Sequence, residues 1–323
     1  MSDWRQQLEY DPLPRLLSSE NKAIAYFSRR DLLEEEVDPI ETLWELIPVR
    51  ESVRRQQKNG SWRFHGNRPG TRWKQNYEQL ETFRIFSQLV EKHGMTKDHR
   101  AIMKAADFMF RSQTEEGDFR GTYGNQYTPN YSGAILEVLV KAGYGEDPRV
   151  EKGFRWLLSI RQSDGGWALP LQTVGAKLDR ATMASDVLKP DLKRPFSHLV
   201  TGMVLRAFAA HERYRETGAA RVAGGLLASS FFKRGKYPGR QDASYWTRFS
   251  FPFWFTDLLS SLDSLSLLGF TLDDPQIRPA AEWLVGRQGK DGLWKLTMLK
   301  GADPDLPLWI ALVICRALKR LYG

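Results

Sequence analysis

The sequence predicts an all-α protein built from a repeated pair of helices, and three observations predict it. A short phrase recurs four times, at 55–62 (RQQKNGSW), 111–119 (RSQTEEGDF), 161–167 (RQSDGGW) and 287–294 (RQGKDGLW). Each copy is Arg, Gln, a polar turn containing Gly, then Trp or Phe, and each follows a stretch with helical periodicity. Internal repetition of this kind signals an array of like units. No stretch of useful length alternates with the period of a strand. The linkers between helical stretches alternate short and long, as an antiparallel helix array requires.

The helices are predicted at 19–34, 38–57, 76–93, 97–113, 130–143, 148–162, 196–213, 217–232, 252–269, 275–288 and 306–321, with Gly, Pro and Asx residues between them. The third and fourth copies define the unit most fully. Gly143-Tyr144 and Gly269-Phe270 end one helix, and Asp147-Pro148 and Asp274-Pro275 begin the next. Nine residues after each Asp stands Trp-Leu, at Trp156 and Trp283. Pro suits the first turn of a helix, and Gly supplies a left-handed C-terminal cap. The Gln–Trp spacing suggests an amide that caps the helix end under a covering ring. Copies lie 50–56 residues apart, except for a gap of 126 before the fourth. Helices 198–214 and 219–232, which lack the phrase, fill that gap.

The short linkers are 94–96, 144–147, 214–216 and 270–274. The long ones, 58–75, 114–129, 163–195, 233–251 and 289–305, fall on one shared face, where function concentrates. Segments 62–75, 114–129, 163–195, 232–250 and 289–304 hold 18 Lys and Arg against 10 Asp and Glu, which accounts for the whole net charge of +8. Either this rim attracts anions, helped by helix N-termini, or its loops are simply solvated.

With 323 residues, the chain exceeds the usual size of a single core. A ring of repeats escapes that limit because each unit packs on its neighbours. Hydrophobic content of 41% is that of a folded domain. The start, MSDWRQQLEY, has no apolar core of a signal peptide, and no run approaches the ~18 apolar residues of a membrane span. The single cysteine, Cys315, rules out a disulfide within the chain and fits a cytoplasmic protein. No phosphate loop, dinucleotide fingerprint, His-Glu-x-x-His or nucleophile elbow is present, and no motif for nucleic acid recognition.

The segment 249–257 (FSFPFWFTD) carries the sharpest chemistry. Pro252 marks the first turn of a helix there, which puts Asp257 too deep to be an N-cap, with Ser260, Ser261 and Ser264 on its face. A buried carboxyl stays protonated, and aromatic faces stabilise cations. Phe251, Trp254 and Phe255 are the nearest rings, and Trp73, Tyr77, Tyr127, Tyr131, Tyr245, Trp246 and Trp309 are further candidates for the same lining. Counted back from Gly143 and Gly269, Tyr131 holds the place of Asp257. A buried structural Asp and helix-spaced core aromatics are the alternative.

These repeated Gln…Gly…Trp turns between paired helices resemble the repeats of the terpenoid cyclase and protein prenyltransferase superfamily, over nearly the whole chain. The chain is most similar to single-domain squalene-cyclase-like proteins of prokaryotes. The resemblance implies an (α/α) toroid of inner and outer helices, here five pairs plus a terminal inner helix in one domain, 1–323, with a central cavity whose mouth is the long-loop face. It also implies an isoprenoid or prenyl diphosphate partner in an aromatic cavity, and proton-initiated cyclisation or isomerisation as the chemistry. The alternatives are a non-catalytic prenyl or lipid-binding module and a scaffold with a basic rim, including contact with an anionic membrane surface.

The zinc set of the prenyltransferases, Asp-x-Cys with a distant His, is absent, since Val313 stands two before Cys315; no metal or cofactor is expected. Of five scattered histidines, His198, near the start of an inner helix, is the one placed to face a cavity, with a structural role as the alternative. Class II cyclases protonate an alkene with the middle Asp of Asp-x-Asp-Asp. Asp303-Pro304-Asp305-Leu306 matches the first two acids, so Asp305 corresponds to the donor, with Asp303 beside it and Leu306 in place of the third acid. Asp305 is otherwise an N-cap. The broken motif, and a length about half that of the two-domain cyclases, point away from squalene-to-hopene chemistry.

Overall fold

The computed structural model describes residues 4–66, 75–299 and 303–323. After a 3-10 turn, Trp4–Gln7, comes a short helix α1, Leu13–Leu17. The first pair is α2, Lys22–Phe27, continued as a π-helix over Ser28–Leu33, and α3, Ile47–Arg54. The second is α4, Tyr77–His93, with α5, Arg100–Phe110. The third is α6, Pro129–Leu139, continued as a π-turn over Val140–Tyr144, with α7, Pro148–Ser159. The next long loop holds α8, Pro170–Thr173, and α9, Leu178–Met183. The fourth pair is α10, His198–Ala210, and, past the single turn α11, Glu212–Arg215, helix α12, Gly218–Ala228. The fifth is α13, Leu258–Leu267, with α14, Ile277–Val285, and α15, Leu306–Tyr322, stands last.

The first helix of each pair lies inside. Every residue of α6 is buried, whereas α7 buries one stripe, Val150, Gly153, Phe154, Trp156 and Leu157. A helix apolar all round needs neighbours on all sides, and a striped one needs them on one. Helices α4, α6, α10, α13 and α15 pack in that order, and α2 closes the ring by touching both α15 and α4. The approach of α6 to α10 is very close: a methyl group added at Gly133 would sit 2.8 Å from the Val204 Cα. The expected toroid of five pairs and a terminal inner helix is the observed fold.

The recurring phrase ties the outer layer together, in a way opposite to the expected one. The indole caps its own helix end: Trp62, Trp167 and Trp294 donate from Nε1 to the carbonyls of Ser52, Leu157 and Leu284, each ten residues back. These carbonyls lie in the last helical turn, where the regular i+4 donors run out, and those of Ser52 and Leu284 accept from the Arg55 and Arg287 N–H as well. The Gln amide instead reaches forward. Gln56 donates to the Gly60 and Ala101 carbonyls, and Gln113 to those of Gly117 and Arg149, so each turn is bound to the start of the next outer helix. In the third copy Gln162 binds the Asp191 and Arg194 carbonyls of the long loop.

The fourth copy explains how the ring shuts. Gln288 donates to the Tyr10 carbonyl and accepts from the Tyr10 N–H, and a methyl group at Gly292 (φ +79°) would meet the Asp11 carbonyl at 2.7 Å. The N-terminal segment and α1, which the sequence left without an element, therefore stand where the next outer helix would begin, beside α15.

Consecutive long loops are hydrogen-bonded around one rim. Asn76 N–H donates to Gly121, Gln126 to Asp186, Gln172 to Pro238 and Leu299 N–H to Phe249. The last contact extends a two-residue parallel ladder between β1, Arg248–Phe249, and β2, Thr297–Met298. Every inner helix therefore starts at the long-loop rim and ends at the short-linker rim. Among the described residues, no helix is long and apolar enough to cross a membrane.

Candidate functional site

A cavity of about 700 Å³ opens at the long-loop rim, between the starts of α6 and α10. That volume is within the ~300–1,000 Å³ typical of small-molecule sites. Its walls are Tyr123, Asn130 and Tyr131 from the α6 start, Leu169 to Leu178 around α8, Leu199 of α10, the turn Pro238-Gly239-Arg240, and Phe255. Tyr131 meets Tyr123 edge to face at 5.8 Å, and burial pushes both phenol pKa values up, so both stay neutral. The Asn130 amide oxygen is buried there without a protein partner. Two cations, Lys177 and Arg240, line the mouth, and no carboxylate does. The arrangement can take an elongated apolar molecule and engage a polar group at its end.

The aromatic segment before α13 does something other than expected. It is not helical until Leu258. Its rings pack singly against different walls of the ring: Phe251 stacks on Trp309 at 5.6 Å and meets Phe253 edge to face, while Trp254 lies 5.6 Å from Phe83. Trp309 is also 6.3 Å from Phe27 and 5.4 Å from the Lys92 ammonium. Phe251, Trp254 and Trp309 therefore fill the centre as a plug, and Phe255 and Tyr131 remain on the cavity. An extended chain can send each ring to a different partner; a helix would crowd five of them around one turn and a half.

Asp257 is the N-cap of α13, a correction to the expectation that it lies deep in the helix. Its Oδ1 accepts from the Ser260 N–H at 2.7 Å, and the Ser260 hydroxyl accepts from the Asp257 N–H at 2.9 Å. Ser261 and Ser264 bond back to carbonyls of their own helix. The Asp-Leu-Leu-Ser spacing is that of a capping box, a signal present in the sequence and outweighed by Pro252. The carboxyl is 2 % exposed, and burial raises its pKa to about 7, against the opposing effects of Ser260 and Arg206. It does not line the cavity. The count back from Gly143 fails because the π-turn lengthens α6: Tyr131 lies one turn inside its helix, and Thr128 holds the cap.

Asp305 occupies the cap position of α15 but makes no side-chain cap. Its Oδ2 accepts from Asn21 at 2.7 Å, while Asp303 pairs with Lys92 at 2.5 Å and accepts from the Asp305 N–H. His198 turns away from the Tyr131 cavity, contrary to expectation. It stacks on Trp246 at 4.8 Å beside a separate pocket of about 220 Å³, and burial lowers its imidazole to about 4. Tyr77 packs 5.1 Å from Phe64, with its hydroxyl buried and without a partner among the described residues. Trp73 lies outside the described residues. Sequence reasoning missed Tyr123, Leu199 and Arg240; the turn-forming Pro238-Gly239 pair before Arg240 was the available signal.

A larger cavity, about 1030 Å³, opens at the short-linker rim among the ends of the inner helices. Its carboxylates are matched by cations: Asp31 by Arg30 and Arg316, Glu34 by Lys319, Glu91 by Lys141 and Asp263 by Arg320.

The model of the squalene-hopene cyclase C-terminal domain family matches residues 79–186 and 134–306. The chain is 25% identical over 204 residues to a squalene–hopene cyclase of Bradyrhizobium diazoefficiens, covering 57% of this chain and 27% of that protein. It is 27% identical over 160 residues to a probable squalene–hopene cyclase of Sinorhizobium fredii, covering 44% and 24%. The chain thus spans about a quarter of the length of these curated relatives. Among solved structures, the type II terpene cyclase MstE from Scytonema aligns with 86% of this chain and 96% of its own at 14% identity and a TM-score of 0.35. A glycosyl hydrolase family 88 protein of Bacteroides vulgatus aligns with 98% and 94% at 14% identity and 0.49.

Proposed function

The chain belongs to the squalene-hopene cyclase C-terminal domain family, and from that premise we propose that it binds an isoprenoid in the cavity at the long-loop rim. The observation that carries this reading is the lining itself. Leu169, Leu171, Leu178 and Leu199 supply apolar walls, and Tyr131 and Phe255 supply ring faces. Burial of a prenyl chain against such walls gains roughly 25 cal/mol per Å². Phe255 on the cavity wall lies 6.2 Å from Trp254 of the aromatic plug, which favours a chain shorter than squalene.

A second reading is that the bound isoprenoid is cyclised or isomerised by a proton from Asp257. One observation favours it, a carboxyl whose pKa burial raises to about 7, two residues from Phe255 on the cavity wall; against it, that carboxyl caps α13 and does not itself line the cavity. Asp305 with Asp303 is the acid pair that the family motif suggests, and both are engaged, by Asn21 and Lys92.

The experiment is to incubate the purified protein with squalene and with C15 and C20 prenyl alcohols and diphosphates, then to quantify retained and converted lipid by mass spectrometry. Retention of a C15 or C20 chain by the protein, lost in Leu199→Trp, is the expected result. Conversion abolished by Asp257→Asn would establish the catalytic reading. Retention of no prenyl compound, or equal retention by Leu199→Trp, would overturn the binding reading.

A further inference from the structure

Arg240 is out of place for a site built to hold a hydrocarbon. It lines the mouth of the Tyr131 cavity, with its guanidinium carbon 3.7 Å from the Phe255 ring centroid and 5.4 Å from that of Tyr245. Among the described residues its guanidinium has no hydrogen-bond or carboxylate partner and lies against these two ring faces. The nearest acid in sequence, Asp242, is spent on the Ser244 N–H. Lys177, also lining the cavity, likewise has no carboxylate partner. At the short-linker rim the carboxylates of the cavity wall all have cations beside them, so of these two cavities it is the Tyr131 cavity whose cations lack acids.

The backbone supports the same point. Arg240 adopts φ +51°, a left-handed conformation that disfavours any residue but Gly. Such strain persists where the surroundings over-determine it, and ligand clamps are among those places. Here the turn is pinned at two points: Gln172 donates to the Pro238 carbonyl at 2.9 Å and the Tyr237 hydroxyl to the Pro195 carbonyl at 2.5 Å. A guanidinium laid on a ring keeps its planar fork of donors in one orientation, with its edge free. Beside a neutral hydrocarbon that edge would lose water and gain nothing. Beside a carboxylate or phosphate it forms charge-assisted, paired hydrogen bonds.

We propose that the ligand of this cavity is an isoprenoid with an anionic head, carboxylate or diphosphate, held between Arg240 and Lys177 while its chain runs along Tyr131, Leu199 and Phe255. The proposal rests on the reading of the cavity as an isoprenoid site and adds the chemistry of the head. Arg240 is thus a specificity-determining residue, distinct from any acid that does chemistry.

Calorimetric titration of the intact protein tests it with four probes: a C20 prenyl alcohol, the same chain as a carboxylic acid, the same chain as a diphosphate, and inorganic pyrophosphate. At least one chain with an anionic head should bind about tenfold or more tightly than the alcohol, the scale of one hydrogen bond to a charged group. Which of the two binds tighter identifies the head. Arg240→Gln should remove that advantage while leaving alcohol affinity within about twofold, Lys177→Gln should remove part of it, and added salt should weaken it. A melting temperature for each variant separates lost binding from lost folding. Equal binding of alcohol and anions, or an equal loss for all probes in Arg240→Gln, overturns the anionic head and leaves the isoprenoid site standing. Pyrophosphate binding as tightly as the prenyl diphosphate overturns the proposal, because the chain then plays no part. Binding of no prenyl probe, with Leu199→Trp without effect, overturns the site itself.

Discussion

At the short-linker rim, Arg206, Glu137, Lys141 and Glu91 form a chain of ion pairs at 2.8, 2.9 and 2.5 Å that joins α10, α6 and α4. Arg316 and Arg320 bind Asp31 and Asp263, joining α15 to α2 and α13. At the long-loop rim, Arg240 and Lys177 face an apolar cavity without a carboxylate. The inner helices explain part of the contrast. Their C-termini converge on the first rim and attract cations, their N-termini converge on the second and attract anions. At one end the cations answer helix dipoles and acids of the protein. At the other, Arg240 and Lys177 have no acid of the protein beside them among the described residues. The difference teaches that charge closes the ring at one end and, on the proposed reading, is left for a ligand at the other.

The largest expected effect comes from breaking the closing end. Burial pushes the Glu137 carboxyl up, but Arg206 and Lys141 outweigh it and hold the pKa below its ordinary value. Burial also acts on Glu91, and there it prevails over Lys141 and raises the pKa. Arg206 is 3 % exposed and Glu137 6 %. Removing one partner strands a buried charge, so Arg206→Ala should lose about 3–5 kcal/mol in urea denaturation. Arg206→Met with Glu137→Leu should recover most of that loss, because both charges then leave together. If Arg206→Ala proves as stable as the parent, charge does not close the ring and the contrast collapses.

The next effect sharpens the contrast at the long-loop rim, where Asp257 sits at a helix N-terminus. The dipole and the cap N–H favour its anion, and burial opposes them and wins, giving a pKa of about 7. A carboxyl raised above its unfolded value, near 4, contributes stability that is fully present below about pH 4 and lost as pH rises through 7. Asparagine caps a helix about as well as aspartate and does not titrate. The stability of the parent relative to Asp257→Asn should therefore be flat below about pH 4 and fall by roughly 4 kcal/mol on reaching pH 7. A flat difference across that window would mean that the carboxyl is ionised throughout and is a cap only.

Much of the ring was legible in the sequence because its elements are locally coded. The Asp147-Pro148 start, the left-handed Gly143 and the ten-residue reach of Trp167 to Leu157 are each satisfied within one unit. The site was less legible because its residues are placed by contacts between units. Phe251 and Trp254 look alike in a row of aromatics, and only the positions of Trp309 and Phe83 make them a plug. Pro252 was read as a helix start, yet it is equally at home in an extended segment. His198 opens an inner helix as expected, but Trp246 from the next long loop draws its ring aside. Tyr131, in the first turn of an inner helix, and Phe255, the last ring before one, do face the cavity.

The smallest expected effect concerns the other N-terminal acid, and it tests whether the long-loop rim keeps any of the chemistry its motif suggests. The motif resemblance would make Asp305 the counterpart of the class II proton donor, and its surroundings differ from those of Asp257. It is only partly buried, and its carboxylate accepts one hydrogen bond, from Asn21. The neighbouring Asp303 is neutralised by Lys92. Leu306, where the motif has a third acid, is buried in the first turn of α15 and offers no proton. An amide in place of the Asp305 carboxylate keeps an acceptor for Asn21, so Asp305→Asn should change stability by less than about 1 kcal/mol. It should leave retention of C15 and C20 prenyl compounds unchanged, because Asp305 does not line the Tyr131 cavity. Squalene incubated with either protein should yield no hopene by mass spectrometry. Hopene from the parent, lost in Asp305→Asn, would restore the motif acid as the donor and move the site from the Tyr131 cavity to the α15 start.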